Sequence, residues 1–102
     1  MKDIVFIRMP AGDCMDWQFR VSCTGRYTHG DATYEVSLSS GGQLILTTAG
    51  QPAYVLEPHQ GRIFAISGLD GFRVEFRSGR TGAVDALILH QPNGSFEAPR
   101  VP

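Results

Sequence analysis

Lysine is almost absent from this sequence: Lys2 is the only one, and the eight arginines stand singly along the chain. With a formal net charge of −1 over 102 residues, no basic run exists to neutralise phosphates or anionic lipid, so neither nucleic acid nor a membrane surface is an expected partner. The single lysine at position 2 also excludes a Ser-x-x-Lys nucleophile. Cysteine is scarce as well. Cys14 and Cys23 match neither a Cys-x-x-Cys nor a zinc spacing, which leaves a buried apolar Cys23 and an exposed Cys14 in the acidic stretch Asp13-Cys14-Met15-Asp16 as the expectation. Long apolar runs are missing too. Ile4-Val5-Phe6-Ile7 is too short for a signal-peptide core or a membrane span, which points to a cytoplasmic protein, although an exported domain that has lost its leader reads the same way. No stretch of ten residues carries a helical stripe free of glycine and proline, so little or no helix is expected beyond a single turn near Asp13 to Trp17.

What the sequence has instead is a rhythm of short strands. From Tyr34 to Val101 apolar segments are separated by Ser-Gly-Gly, Gly-Gln-Pro, Gln-Gly, Asp-Gly, Ser-Gly-Arg-Thr-Gly and Pro-Asn-Gly. Such turns are too short for a helical crossover, so successive strands must pair antiparallel. The fold class is therefore all-β: an antiparallel meander of eight or nine strands curling into a small barrel or half-barrel, with residues 1–102 as one domain.

Individual segments refine this picture. Ile4 to Met9 reads as a first strand. Trp17 to Cys23 alternates without a fault, with Trp17, Phe19, Val21 and Cys23 on one face, and so reads as a half-buried strand. Tyr34, Val36 and Leu38 repeat the pattern. The central runs Leu44-Ile45-Leu46, Tyr54-Val55-Leu56 and Ile63-Phe64-Ala65-Ile66 are apolar on both parities, which suggests that both faces are partly covered. Phe72 to Arg77 returns to strict alternation, with Arg73, Glu75 and Arg77 as a solvated charge row. Parity changes across Asp85 and Ala86, which indicates a bulge or a strand buried on both sides. A last short strand follows near Phe96.

Taken in order, Gly25-Arg26-Tyr27, Tyr34-Glu35-Val36, Gln43-Leu44-Ile45-Leu46, Gly50-Gln51-Pro52, Leu56-Glu57-Pro58, Phe64, Val74-Glu75-Phe76, Gly82-Ala83-Val84 and Leu87-Ile88-Leu89-His90-Gln91 resemble a known pattern. It is that of the small β-domain of unknown function appended to the C-terminus of many beta-lactamase-related serine hydrolases. The resemblance spans Gly25 to Val101 and leaves residues 1–22 outside it. It implies a lipocalin-like antiparallel barrel that accompanies an enzyme without supplying catalytic residues.

Three function classes follow. An interaction module, self-associating as a homodimer or binding another protein, would use Ile4, Phe6, Ile45, Val55 and Ile63, because a lone sheet cannot easily cover both faces of its central strands. A ligand-binding barrel would hold a small apolar or aromatic molecule near a mouth formed by Trp17, Tyr27 and Tyr34, whose polar tips need partners when buried. An enzyme would have to draw on Cys23 with His90, on His29 or His59, and ranks last; no catalytic residue is assigned. No cofactor or metal is expected, since the histidines and aspartates follow no ligand spacing.

Overall fold

The computed structural model describes residues 12–101, and within them eight strands form a closed antiparallel barrel in which sequence neighbours pair all the way round. The strands are β1 (Gly25–His29), β2 (Ala32–Leu38), β3 (Leu44–Thr48), β4 (Tyr54–Gln60), β5 (Ile63–Ile66), β6 (Arg73–Ser78), β7 (Val84–Gln91) and β8 (Gly94–Val101). The expected meander is thus observed. Its last strand closes on its first through Arg26↔Val101 and Tyr27↔Arg100.

Alternation along each strand sends one parity inward. Leu44, Leu46, Leu56, Phe64, Ile66, Val74 and Leu87 are buried in the core, together with Phe76. Phe76 is its centre: its ring meets Phe64 edge-on at 5.7 Å, Phe19 at 6.5 Å and tilted Tyr27 at 6.0 Å. The other parity faces outward, which resolves the doubly apolar central runs. Ile45, Val55, Ile63 and Ala65 stand half-buried on the outer wall, with Ile45 and Val55 directly opposite each other across β3 and β4. Ile4, Phe6 and the expected strand from Ile4 to Met9 lie outside the described residues.

The outer charge row is present, cross-linked by its neighbours. Arg77 donates two hydrogen bonds to Glu97, at 2.8 and 2.6 Å, and Glu75 sits 2.9 Å from His90 Nε2. The parity change in β7 is a bulge. Ser78 pairs with Val84 and Arg77 with Ala86, leaving Asp85 as the extra residue.

The stretch from Trp17 to Cys23 corrects the sequence reading: it is a helix, α1 (Trp17–Cys23), preceded by a 3-10 turn over Asp13–Met15. Residues two apart lie about 200° apart around a helix, so a two-residue alternation also divides into opposite helical rows. Phe19 and Cys23 form the buried row, while Trp17 and Val21, 56% and 42% exposed, form the outer one. Asp16 supplies the deciding signal as N-cap, its carboxylate accepting from the Gln18 N–H at 3.1 Å.

Helix α1 plugs one end of the barrel. Three arginines hold it there by donating to backbone carbonyls and to the preceding turn. Arg100 points inward from β8 and bonds the carbonyls of Ser22, Thr24 and Val84, with its guanidinium 5.9 Å from the Tyr27 ring centre. A cation at a helix C-terminus satisfies the carbonyls that the helix itself leaves over. Arg20 bonds the carbonyls of Cys14 and Gly42, and Arg62 reaches Asp13 at 2.8 Å and the Ser78 hydroxyl while covering the Phe19 ring at 5.0 Å. The turn before α1 can lie this close to the β4–β5 turn because both carry glycine at the contact. A Cβ on Gly12 would stand 2.7 Å from the Gly61 Cα, and Cys14 N–H donates to the Gly61 carbonyl at 2.7 Å. Cys14 is consequently buried, not exposed.

Candidate functional site

The opposite end of the barrel is open. Strand ends and loops there form a cup of about 410 Å³ lined by Tyr34, Leu46, Thr48, Ala49, Gln51, Tyr54, Ile66, Leu69, Phe72, Leu89 and Gln91. This volume is within the usual range of small-molecule sites, roughly 300–1,000 Å³. Its floor follows from parity: Leu46, Ile66 and Leu89 are inward residues one step above the packed core. One side of the mouth is built by the β5–β6 loop. There the Leu69 N–H donates to Ile66, the Phe72 N–H to Leu69 and the Ile66 N–H to Phe72, a closed set of turns that sets Leu69 and Phe72 beside the opening. The Ser67 N–H fastens the loop to Val55 at 2.9 Å. On another wall Tyr34 packs on Phe96 at 6.1 Å, and His29 backs Phe96 at 4.4 Å.

The chemistry of the lining is uniform in one respect: among the described residues it contains no charged side chain. Its polar members are two phenols, two primary amides and Thr48, whose hydroxyl donates to the Thr33 carbonyl at 2.9 Å. The side chains of Tyr34, Tyr54, Gln51 and Gln91 make no hydrogen bond to another described residue. Gln51 follows β3 and Gln91 ends β7, so the two amides stand on opposite walls, with Tyr34 and Tyr54 at intermediate positions round the rim.

The three residues expected at a pocket mouth are not brought together. Tyr34 lines the cup. Tyr27 is fully buried in the core, where its hydroxyl donates to the Cys23 carbonyl at 2.7 Å, so the partner its polar tip required is the helix and not a ligand. Trp17 is at the plugged end, against the β2–β3 turn, where a Cβ on Gly42 would come within 3.0 Å of the indole. Leu46, Ile66, Leu69, Leu89 and the two glutamines were not singled out by sequence. The usable signal was positional: they are the inward or loop residues at one end of consecutive strands.

The catalytic candidates are also separated. Cys23 is a buried free thiol at the plug, pushed up to about 12 chiefly by burial, with Arg100 and Arg62 opposing the shift. His90 is on the outer wall with Glu75, so the two form no nucleophile–base pair. His29 contacts the Glu97 carbonyl at 3.1 Å, and His59 is exposed on β4. Among the described residues no three His, Cys, Asp or Glu side chains converge to hold a metal ion, and no helix is long and apolar enough to cross a membrane.

No protein-family profile matches the sequence, nor does any curated protein sequence. Among solved structures, a crystal structure of SurE with D-Leu is similar in fold, with a TM-score of 0.63 at 20% identity. The match takes in 99% of this chain and 23% of that one, so the barrel spans about a quarter of the longer protein.

Proposed function

We propose that the protein is a non-catalytic, lipocalin-like binding barrel that takes a small, largely apolar ligand into the cup. The observation carrying this reading is the combination of an apolar floor with four hydrogen-bonding side chains at the rim that have no partner among the described residues. Tyr34, Tyr54 and Gln91 are half-buried and Gln51 is exposed, so water can reach this rim, and a ligand that brings its own donors and acceptors can take the place of that water. The free thiol of Cys23 suits a reducing compartment and supports a cytoplasmic location. Correspondence to part of a longer chain fits a barrel that accompanies another domain, as the resemblance to appended hydrolase domains implies. Titration with the uncharged dye N-phenyl-1-naphthylamine tests the binding role. Saturable one-to-one fluorescence enhancement at roughly 1–100 µM, the range open to a ligand of that size, is expected, and Ala49→Trp at the mouth should abolish it. A dye that does not saturate, or that binds the variant equally well, overturns the reading.

Self-association is a second reading, favoured by one observation. Of the four exposed large hydrophobics among the described residues, Met15, Trp17 and Val21 are on the turn and helix of the plug, the fourth being Val101. A second copy packing there would cover them, with Ile45, Val55 and Ile63 on the outer wall as the alternative surface. Light scattering distinguishes the cases. A dimer split by Trp17→Glu supports the plug surface, one split by Ile45→Glu supports the wall, and a monomer overturns both.

A further inference from the structure

We infer that the cup selects uncharged ligands: an apolar body carrying an amide or hydroxyl head, in preference to a carboxylate or an amine of the same size. The inference rests on the ligand-binding reading and adds the chemistry of the head group. It follows from where the charges of the barrel are engaged. Arg20, Arg62 and Arg100 are held at the plug. Arg26 pairs with Glu35, and Arg77 with Glu97, on the outer wall. Arg73, which follows the lining residue Phe72, donates to the Phe72 carbonyl at 3.1 Å and does not line the cup.

A ligand carboxylate entering this cup would therefore lose water without gaining a cation from the described residues. An ammonium would likewise find no lining carboxylate among the described residues; Asp70, in the loop between Leu69 and Phe72, is exposed and outside the lining. Unpaired charge is expensive to desolvate, and neutral hydrogen bonds compensate it only in part. Gln51 and Gln91 each offer an amide oxygen and an NH2, and the Tyr34 and Tyr54 phenols each donate and accept. That set complements an amide or hydroxyl head and has no group specialised for charge.

The test is displacement of bound N-phenyl-1-naphthylamine by decanamide, decanoate and decylamine at pH 7, each below its aggregation threshold. Because the mouth is open to water, the expected discrimination is moderate, with decanamide displacing the dye at about tenfold lower concentration than either charged analogue. Gln91→Arg supplies the missing cation at the end of β7 and should bring decanoate to or below the concentration needed for decanamide, each displacement being scaled to that variant's own dye affinity. Equal potency of decanoate or decylamine on the unmodified protein overturns the charge selectivity while leaving ligand binding intact. Failure of all three to displace a bound dye also overturns it. Absence of dye binding removes the underlying reading instead, a distinguishable result.

Discussion

At the plugged end of the barrel, Arg20, Arg62 and Arg100 bond backbone carbonyls, a carboxylate and a hydroxyl around α1; at the open end, two phenols and two amides have no hydrogen-bond partner among the described residues. The difference separates structural polarity from available polarity. A seven-residue helix is too short to be stable alone, and side-chain donors at its C-terminal end, Arg100 to Ser22 and Tyr27 to Cys23, help to hold it on the barrel. The open end has no such obligation, since its loops turn on their own backbone hydrogen bonds. Polar side chains there are free to meet something else.

The largest way to break this contrast is at the core, which both ends share. Phe76→Ala removes the ring that joins Phe19 of the plug to Phe64 and Tyr27, and should cost about 3–5 kcal/mol. Urea unfolding followed by circular dichroism checks the value, and dye binding should be lost along with the fold.

Removing the charge at the plug sharpens the contrast. Arg100→Met leaves the carbonyls of Ser22, Thr24 and Val84 without their donor and should destabilise by roughly 2–3 kcal/mol. The same variant should keep its dye affinity, because Arg100 is at the far end from the cup. A fall in affinity matching the fall in stability would show that the two ends are coupled.

Alkaline pH probes the plug through two of its buried groups. The Cys23 thiol is raised from 9.0 to about 12 and the Tyr27 phenol is raised as well, both chiefly by burial. Between these values the native protein holds a proton that the unfolded chain has released. The stabilisation is therefore complete below about pH 9 and is lost as pH rises toward 12, with a slope of up to about 1.4 kcal/mol per pH unit from Cys23. Unfolding free energies measured across that window should show the decline, and Cys23→Ala should flatten it to the share of Tyr27. An unchanged slope in the variant would refute the assignment.

The smallest expected effect on stability is at the open end. Gln91→Leu and Ala49→Trp change a half-buried and an exposed side chain of the mouth, and each should shift stability by no more than about 0.5 kcal/mol. Thermal midpoints within a few degrees of the parent would bear this out; a large drop would mean that the rim is structural after all.

Much of the architecture was legible because turn chemistry and parity are local. The Asp85 bulge and the outward row of Arg73, Glu75 and Arg77 could be read from a few residues each. Helix α1 was misread because the spacing of Trp17, Phe19, Val21 and Cys23 suits both a strand face and two helical rows, and only the Asp16 cap separates them. The site was less legible for a different reason. A barrel mouth gathers residues from positions 34 to 91, and which of them meet depends on register and closure, neither of which is encoded locally. Tyr27 and Tyr34 illustrate the limit. They are direct partners across β1 and β2, yet one bonds the helix from inside the core and the other lines the cup.

Closure of β8 on β1 also fixes a direction. Val101 lies opposite Arg26 near the start of β1, and Gly12 lies against Gly61, so both ends of the described chain emerge at the plugged pole. Any polypeptide tethered to either end would therefore be anchored there, with the cup facing away from the tether like the bowl of a spoon from its handle.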